Sequence, residues 1–172
     1  MHLQTSRLML RPVSVADLAT THAYAGNLEN TRFMMFLPYA DEAETAVFLA
    51  EAESQWRMEA PERYEFAICL EERHIGGVTL YMQEDRSEAE LGWVLHRAFW
   101  RHGYVTEAAL AVMDFARSIG VKRIFACCDS ENLASFRLME KLGMRLCKAD
   151  GVRTNRSMGD EQRIELTCEL LL

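Results

Sequence analysis

The 172 residues are enough for one domain with a substantial core, and a composition of 49% hydrophobic and 26% charged residues is ordinary for a globular protein. A formal net charge of −7 argues against general nucleic-acid binding, which needs a basic footprint; it is compatible with a cationic partner such as an amine, while solubility is the stronger reading of the charge alone. No apolar run approaches the ~20 residues of a membrane span, the first residues lack the apolar centre of a secretory leader, and five cysteines, with Cys127 and Cys128 adjacent, fit a reducing cytoplasm with free thiols.

In chain order, Arg7 to Arg11 alternates basic and apolar residues and predicts a first strand ending at Pro12. Ser14 or Asp17 caps a short helix reaching about Gly26. Residues 27–39 read as irregular, and Asp41 opens a long acidic helix to about Glu59. Its glutamates read as a solvated face, with an acidic rim over a substrate entrance as the alternative. After Pro61 the pattern becomes a meander: Tyr64–Leu70, then His74–Met82 with the pair Gly76 and Gly77, then Glu88–Leu95. Paired glycines inside a strand signal a bulge or a close backbone approach.

Residues 105–118 predict a helix closed by Gly120, with Leu110, Met113 and Ile119 as core residues. Lys122–Asp129 predicts a strand, Glu131–Leu142 a helix closed by Gly143, and Met144–Lys148 a short strand. A polar loop follows over 149–159, expected to be mobile, and Glu161–Leu170 makes the last strand. One α+β domain over 1–172 is expected. Its mixed, twisted sheet would have six to seven strands, a parallel right-handed crossover late in the chain, and helices on both faces.

Two segments carry chemistry. In the first, Leu91–Ala116, a strand passes through a basic, aromatic loop into a helix, and Gly103 stands in the turn. A helix N-terminus carries unpaired N–H groups and a partial positive charge, and glycine lets bare backbone approach phosphate oxygens. Arg97, Arg101 and His102 concentrate positive charge there in an acidic protein. The loop is neither a Walker loop nor a G-x-G-x-x-G turn. In the second segment, Asp129–Met144, Asn132 precedes a helix and Ser135 lies one turn into it. His96 and His102 lack metal-ligand spacing, and no Cys-x-x-Cys occurs, so no metal site is expected.

Together these segments resemble the GNAT superfamily of acetyl-CoA-dependent N-acetyltransferases, and more closely its RimJ/RimL-like branch of ribosomal-protein N-terminal acetyltransferases. The likeness extends to TSRLMLRPVSVADL and IGGVTL, and covers nearly the whole chain. It implies that Arg101, His102, Gly103, Tyr104, Val105 and Thr106 cradle the CoA pyrophosphate. It implies that backbone at Val94 and Leu95 pairs with the pantetheine arm and holds the acetyl carbonyl. Asn132 and Ser135 would contact the cofactor from the other wall, with Ser135 protonating the departing thiolate.

The resemblance also implies an amine acceptor: a protein N-terminus, an amino sugar, a polyamine or a similar small molecule. Similar proteins commonly dimerise. Three positions depart from the family pattern. Arg101 stands where glycine is frequent, Val105 where a small residue is frequent, and Met139 where many members have an acid tyrosine. A thioether donates no proton.

A base is also needed, because a protonated amine has no lone pair. Glu90 leads, since alternation puts Glu90, Gly92 and Val94 on one strand face, with Gly92 leaving room. It would act directly, through water, or by binding the ammonium; a structural hydrogen bond is the alternative. Asp129 and His74 are weaker candidates, and Cys127 and Cys128 read as packing residues. The competing function is a non-catalytic acyl-CoA-binding or sensor module.

Overall fold

The computed structural model describes residues 1–172. Its strands are β1 (Leu3–Gln4), β2 (Leu8–Pro12), β3 (Arg63–Leu70), β4 (Arg73–Met82), β5 (Glu88–Leu95), β6 (Arg123–Asp129), β7 (Arg145–Thr154) and β8 (Gln162–Leu171). Its α-helices are α1 (Leu18–Ala25), α2 (Leu28–Thr31), α3 (Glu42–Gln55), α4 (Tyr104–Ser118) and α5 (Leu133–Lys141). The strands form one sheet in the order β1-β2-β3-β4-β5-β6-β8-β7. Every neighbouring pair is antiparallel except β5 and β6, which the α4 crossover makes parallel.

Alternation along β3 explains why helices cover both faces. Phe66 and Ile68 point into the main core beneath α4, which contributes Ala108, Val112 and Phe115. Ala67 and Cys69 point the other way and pack with Leu49 and Ala52 of α3. Met139 of α5 joins the main core. Burying one such branched or aromatic side chain contributes about 1.5–3 kcal/mol.

Several expectations change. The sheet has eight strands, because Leu3–Gln4 adds one at the edge. The expected loop over 149–159 is in part strand: β7 runs to Thr154 along β8, with register shifts that absorb its irregular polar pattern. Residues 27–39 contain the short helix α2, capped by the Asn27 side chain accepting from Asn30 N. Leu110 and Ile119 are exposed, because the buried stripe of α4 runs through 108, 109, 112, 113, 115 and 116; only Met113 of the three is core. The Gly76–Gly77 pair does mark a bulge, since Ile68 faces Gly76 while Cys69 faces His74.

Candidate active site

The site begins where two strands part. β5 and β6 pair only over Glu88–Arg123, Ala89–Ile124 and Glu90–Phe125. β4, by contrast, holds β5 as far as Leu95. The bonds Gln83 N to Glu88 O and His96 N to Ile75 O show that even-numbered residues of β5 aim their backbone at β4. By alternation, Trp93 and Leu95 turn their N–H and C=O groups into the opening. Of the two residues expected to pair with the cofactor arm, Leu95 therefore has the orientation. Val94 has its backbone turned to β4, with its side chain packed near Tyr24, Ala25 and Leu37. Trp93 takes its place at the opening. The Leu95 carbonyl already accepts from Trp100 Nε1 at 2.7 Å and Asn30 Nδ2 at 3.1 Å.

The loop after β5 has a left-handed backbone at Arg101 (φ 66°) and again at Gly103 (φ 79°). Gly103 adopts this conformation freely, whereas at Arg101 it is strained. The first helical bond of α4 runs from Glu107 N to Gly103 O at 3.1 Å. The N–H groups of Tyr104, Val105 and Thr106 are thus without intrahelical partners. Glu107 fixes this turn to the N-terminal segment. It accepts from Thr5 Oγ1 at 2.6 Å, Ser6 Oγ at 3.0 Å, Arg7 N at 2.9 Å and Arg7 Nε at 2.7 Å. Against the opposing effect of burial, these bonds hold the Glu107 carboxyl down to about 2. Arg7 also donates to His102 O at 3.0 Å and lies over the Tyr104 ring.

The opposite wall is α5. Asn132 caps it, its Oδ1 accepting from Ser135 N at 3.2 Å. Ser135 Oγ accepts from Trp93 Nε1 at 3.4 Å, linking β5 to α5. A cleft of about 750 Å3 brings together Val94, Leu95, Arg101, Gly103, Tyr104, Val105, Thr106, Asn132 and Ser135. His102 does not line it and stacks on Tyr104 instead. The cleft adds Trp93, Arg137 and Lys141, which the sequence reading left out. Arg137 and Lys141 are one turn apart, and this helical spacing was the available signal. The donors suit a diphosphate joined to an amide-bearing arm: three free N–H groups and several cations at one end, unpaired strand backbone at the other.

The base candidates separate clearly. Asp129 is fully buried and accepts from Arg163 Nε at 3.0 Å, Asn155 Nδ2 at 2.7 Å and Glu131 N at 2.8 Å, so it is a structural hub. The ring of His74 bonds Thr20 Oγ1 and Gly76 O, and burial lowers its basicity. Burial pushes the Cys127 thiol up to about 11 and that of Cys128 to about 12, the wrong direction for nucleophiles. Met139 is fully buried in the core and faces no substrate. The Glu90 carboxylate accepts no hydrogen bond and forms no ion pair; burial raises it, with Glu165 adding to the shift. It does not line the cleft.

The chain matches the Acetyltransferase (GNAT) domain over residues 7–145 and belongs to that family. It is 27% identical over 148 residues to YnaD, an uncharacterized N-acetyltransferase of Bacillus subtilis, covering 84% of this chain and 83% of that one. A GNAT-family acetyltransferase structure from Bacillus anthracis matches with a TM-score of 0.85 and 25% identity, covering 99% and 98% of the two chains. RimL, a ribosomal alpha-N-protein acetyltransferase solved in complex with coenzyme A, has the same fold. Its TM-score is 0.87 at 14% identity, over 100% of this chain and 98% of that one. The protein is an acetyltransferase that moves an acetyl group from acetyl-CoA to an amine; the non-catalytic alternative is not favoured. No helix is long and apolar enough to cross a membrane, and no metal-binding cluster is present.

Proposed function

We propose that acetyl-CoA lies in the cleft between β5 and α5 and that the acceptor amine attacks the thioester directly, with both substrates bound at once. The observation that carries this reading is the parting of β5 from β6 beyond Glu90, with a left-handed loop and a helix N-terminus at its mouth. The N–H groups of Tyr104, Val105 and Thr106 bind the pyrophosphate, with Arg101, Arg137 and Lys141 supplying charge. Backbone at Trp93 and Leu95 aligns the pantetheine arm and acetyl carbonyl. Positioning and aimed backbone donors provide most of the acceleration.

Ser135, on the α5 wall of the cleft, donates its hydroxyl hydrogen as the thiolate leaves. Glu90 lies four residues before Val94, roughly 13 Å along the strand. That exceeds a glutamate's reach, so Glu90 attracts the cationic acceptor or relays a proton through water. The acceptor is a primary amine, and the RimJ/RimL-like branch, working in the cytoplasm, makes a protein N-terminus the first candidate. The test is an acceptor screen: peptides with free N-termini, amino sugars and polyamines, each with acetyl-CoA, read by free-thiol release and by mass spectrometry of the acceptor. Amine-dependent thiol release with an acetylated acceptor is expected. Tight acetyl-CoA binding with no amine-dependent release would reject the reading.

A further inference from the structure

The face of β5 that carries Glu90, Gly92 and Val94 continues across the sheet. In register it becomes Tyr81, Thr79 and Gly77 of β4, then Arg63, Glu65 and Ala67 of β3. One carboxylate in this band is buried without a neutralising partner. Glu65 is 6% exposed. Its Oε2 accepts from Thr79 Oγ1 at 2.6 Å, while Oε1 accepts no hydrogen bond. Arg63, the charged neighbour, instead approaches Glu51 at 3.6 Å, and its buried Nε has no partner.

The position of Oε1 is informative. It lies 3.0 Å from where a Cβ on Gly77 would stand, so the absence of a side chain there makes room for it. Gly77 pairs with Val94. Glu65 therefore starts level with Gly92 but leans to the level of Val94. Adjacent strands are about 4.8 Å apart, so the carboxylate, beside Gly77 on β4, lies about two strand spacings from the opening between β5 and β6, a distance that one water spans. Glu90 stands two side-chain rows further back. Leaving a carboxylate buried and half-paired is costly, and folds seldom keep one without a use.

We propose that Glu65 receives the proton of the acceptor ammonium through an intervening water, with Gly77 as the gap that lets its carboxylate lean toward the amine. The proposal rests on the cofactor placement given above. By way of that water, the Glu65 carboxylate takes one proton from R–NH3+, freeing the nitrogen lone pair. That pair forms the bond to the acetyl carbon as the carbon–sulfur bond breaks, its electrons leaving on sulfur. The second proton shed by nitrogen passes to the thiolate by way of Ser135, giving free CoA thiol and the amide. Glu65 then returns its proton to water, so one proton is released per turnover.

The surroundings suit this role. Burial pushes the Glu65 carboxyl up to about 7, against the pull of the Thr79 hydroxyl and of Arg63. A base with a pKa near the working pH combines availability with basicity. The ionisable groups facing it are Arg63 on its own strand, Tyr81 on β4, Tyr24 from α1 and Tyr39 from the segment before α3. The tyrosines are pushed up by burial and stay neutral.

The test compares wild type, Glu65→Gln, which keeps the shape and the Thr79 contact, and Thr79→Val, which removes only the hydroxyl. Infrared difference titration of wild type against Glu65→Gln should reveal a carboxyl deprotonating near neutral pH, with a higher midpoint in Thr79→Val. Thiol release from acetyl-CoA is followed with three probe amines: 2-phenylethylamine, spermidine and a serine-initiated tetrapeptide. With the fastest probe, Glu65→Gln should lose about 100-fold or more in kcat/KM and the rise in rate between about pH 6 and 8. Its calorimetric affinity for acetyl-CoA should be unchanged. A carboxyl titrating in the ordinary range, or a Glu65→Gln enzyme with wild-type rate and pH profile, overturns the proposal. Failure of the wild type to bind acetyl-CoA would instead refute the cofactor placement beneath it, so the two failures are distinct.

Discussion

Replacing Gly76 with alanine tests whether the position of β5, and with it the cleft, depends on close contact with β4. A Cβ on Gly76 would lie 2.4 Å from Val94 O, 2.8 Å from Leu95 Cα and 2.9 Å from Leu95 Cδ1. The first contact is 0.6 Å short of the 3.0 Å that real Cβ atoms respect, and the obstructing atom is backbone. Relief requires β4 and β5 to separate beside the residues that face the opening. Overpacking of this kind costs about 1–3 kcal/mol. At roughly 2–4 °C per kcal/mol for a domain of this size, the midpoint should fall by about 2–12 °C. Urea unfolding gives the free energy and calorimetry the acetyl-CoA affinity; both should fall. Gly92→Ala is the control, since its Cβ meets only the edge of the Tyr81 ring at 3.3 Å. If Gly76→Ala unfolds within about 0.5 kcal/mol of wild type, the range typical of unconstrained surface changes, the reasoning fails.

Other substitutions probe the remaining parts. Glu107 has a folded pKa of about 2 against an ordinary 4.5, so its stabilisation is complete above about pH 4.5 and is lost as pH falls through 2. Its side chain is 16% exposed and that of Arg7 46%, so screening leaves about 1–2 kcal/mol. The stability gap between wild type and Glu107→Gln in urea should therefore be full at pH 7 and close in acid; a gap constant down to pH 3 would contradict it. Ser135→Ala should lower turnover about 10-fold or more while acetyl-CoA affinity holds, and unchanged turnover removes Ser135 from the mechanism. Arg101→Gly should relieve left-handed strain, raising stability by up to about 1 kcal/mol while weakening acetyl-CoA binding in a salt-sensitive way. Equal affinities in low and high salt would show that the Arg101 charge takes no part.

The cofactor end of the site was legible in the sequence because local chemistry builds it: Gly103 before a helix, Asn132 at a cap, Ser135 a turn later. These are short-range signals and do not depend on distant partners. The backbone direction at Val94 was not legible, since it follows from the register with β4, fixed by pairings such as His96 N with Ile75 O. Glu65 was hidden for a related reason. In YEFAICL it reads as an edge-of-strand polar residue, and only cross-strand packing over Gly77 buries it. The 149–154 strand was missed because its polar residues ride on β8 at the sheet edge, where no apolar alternation is required. Leu110 and Ile119 misled because apolar character alone does not say which side of α4 a residue takes.

Initial-rate kinetics with acetyl-CoA and the best acceptor from the screen varied together test direct transfer most plainly. Double-reciprocal lines that intersect, with no acetylated protein detected by mass spectrometry after acetyl-CoA alone, are the expected result. They would agree with cysteine thiols that burial keeps protonated. Parallel lines together with an acetyl-enzyme would contradict the account.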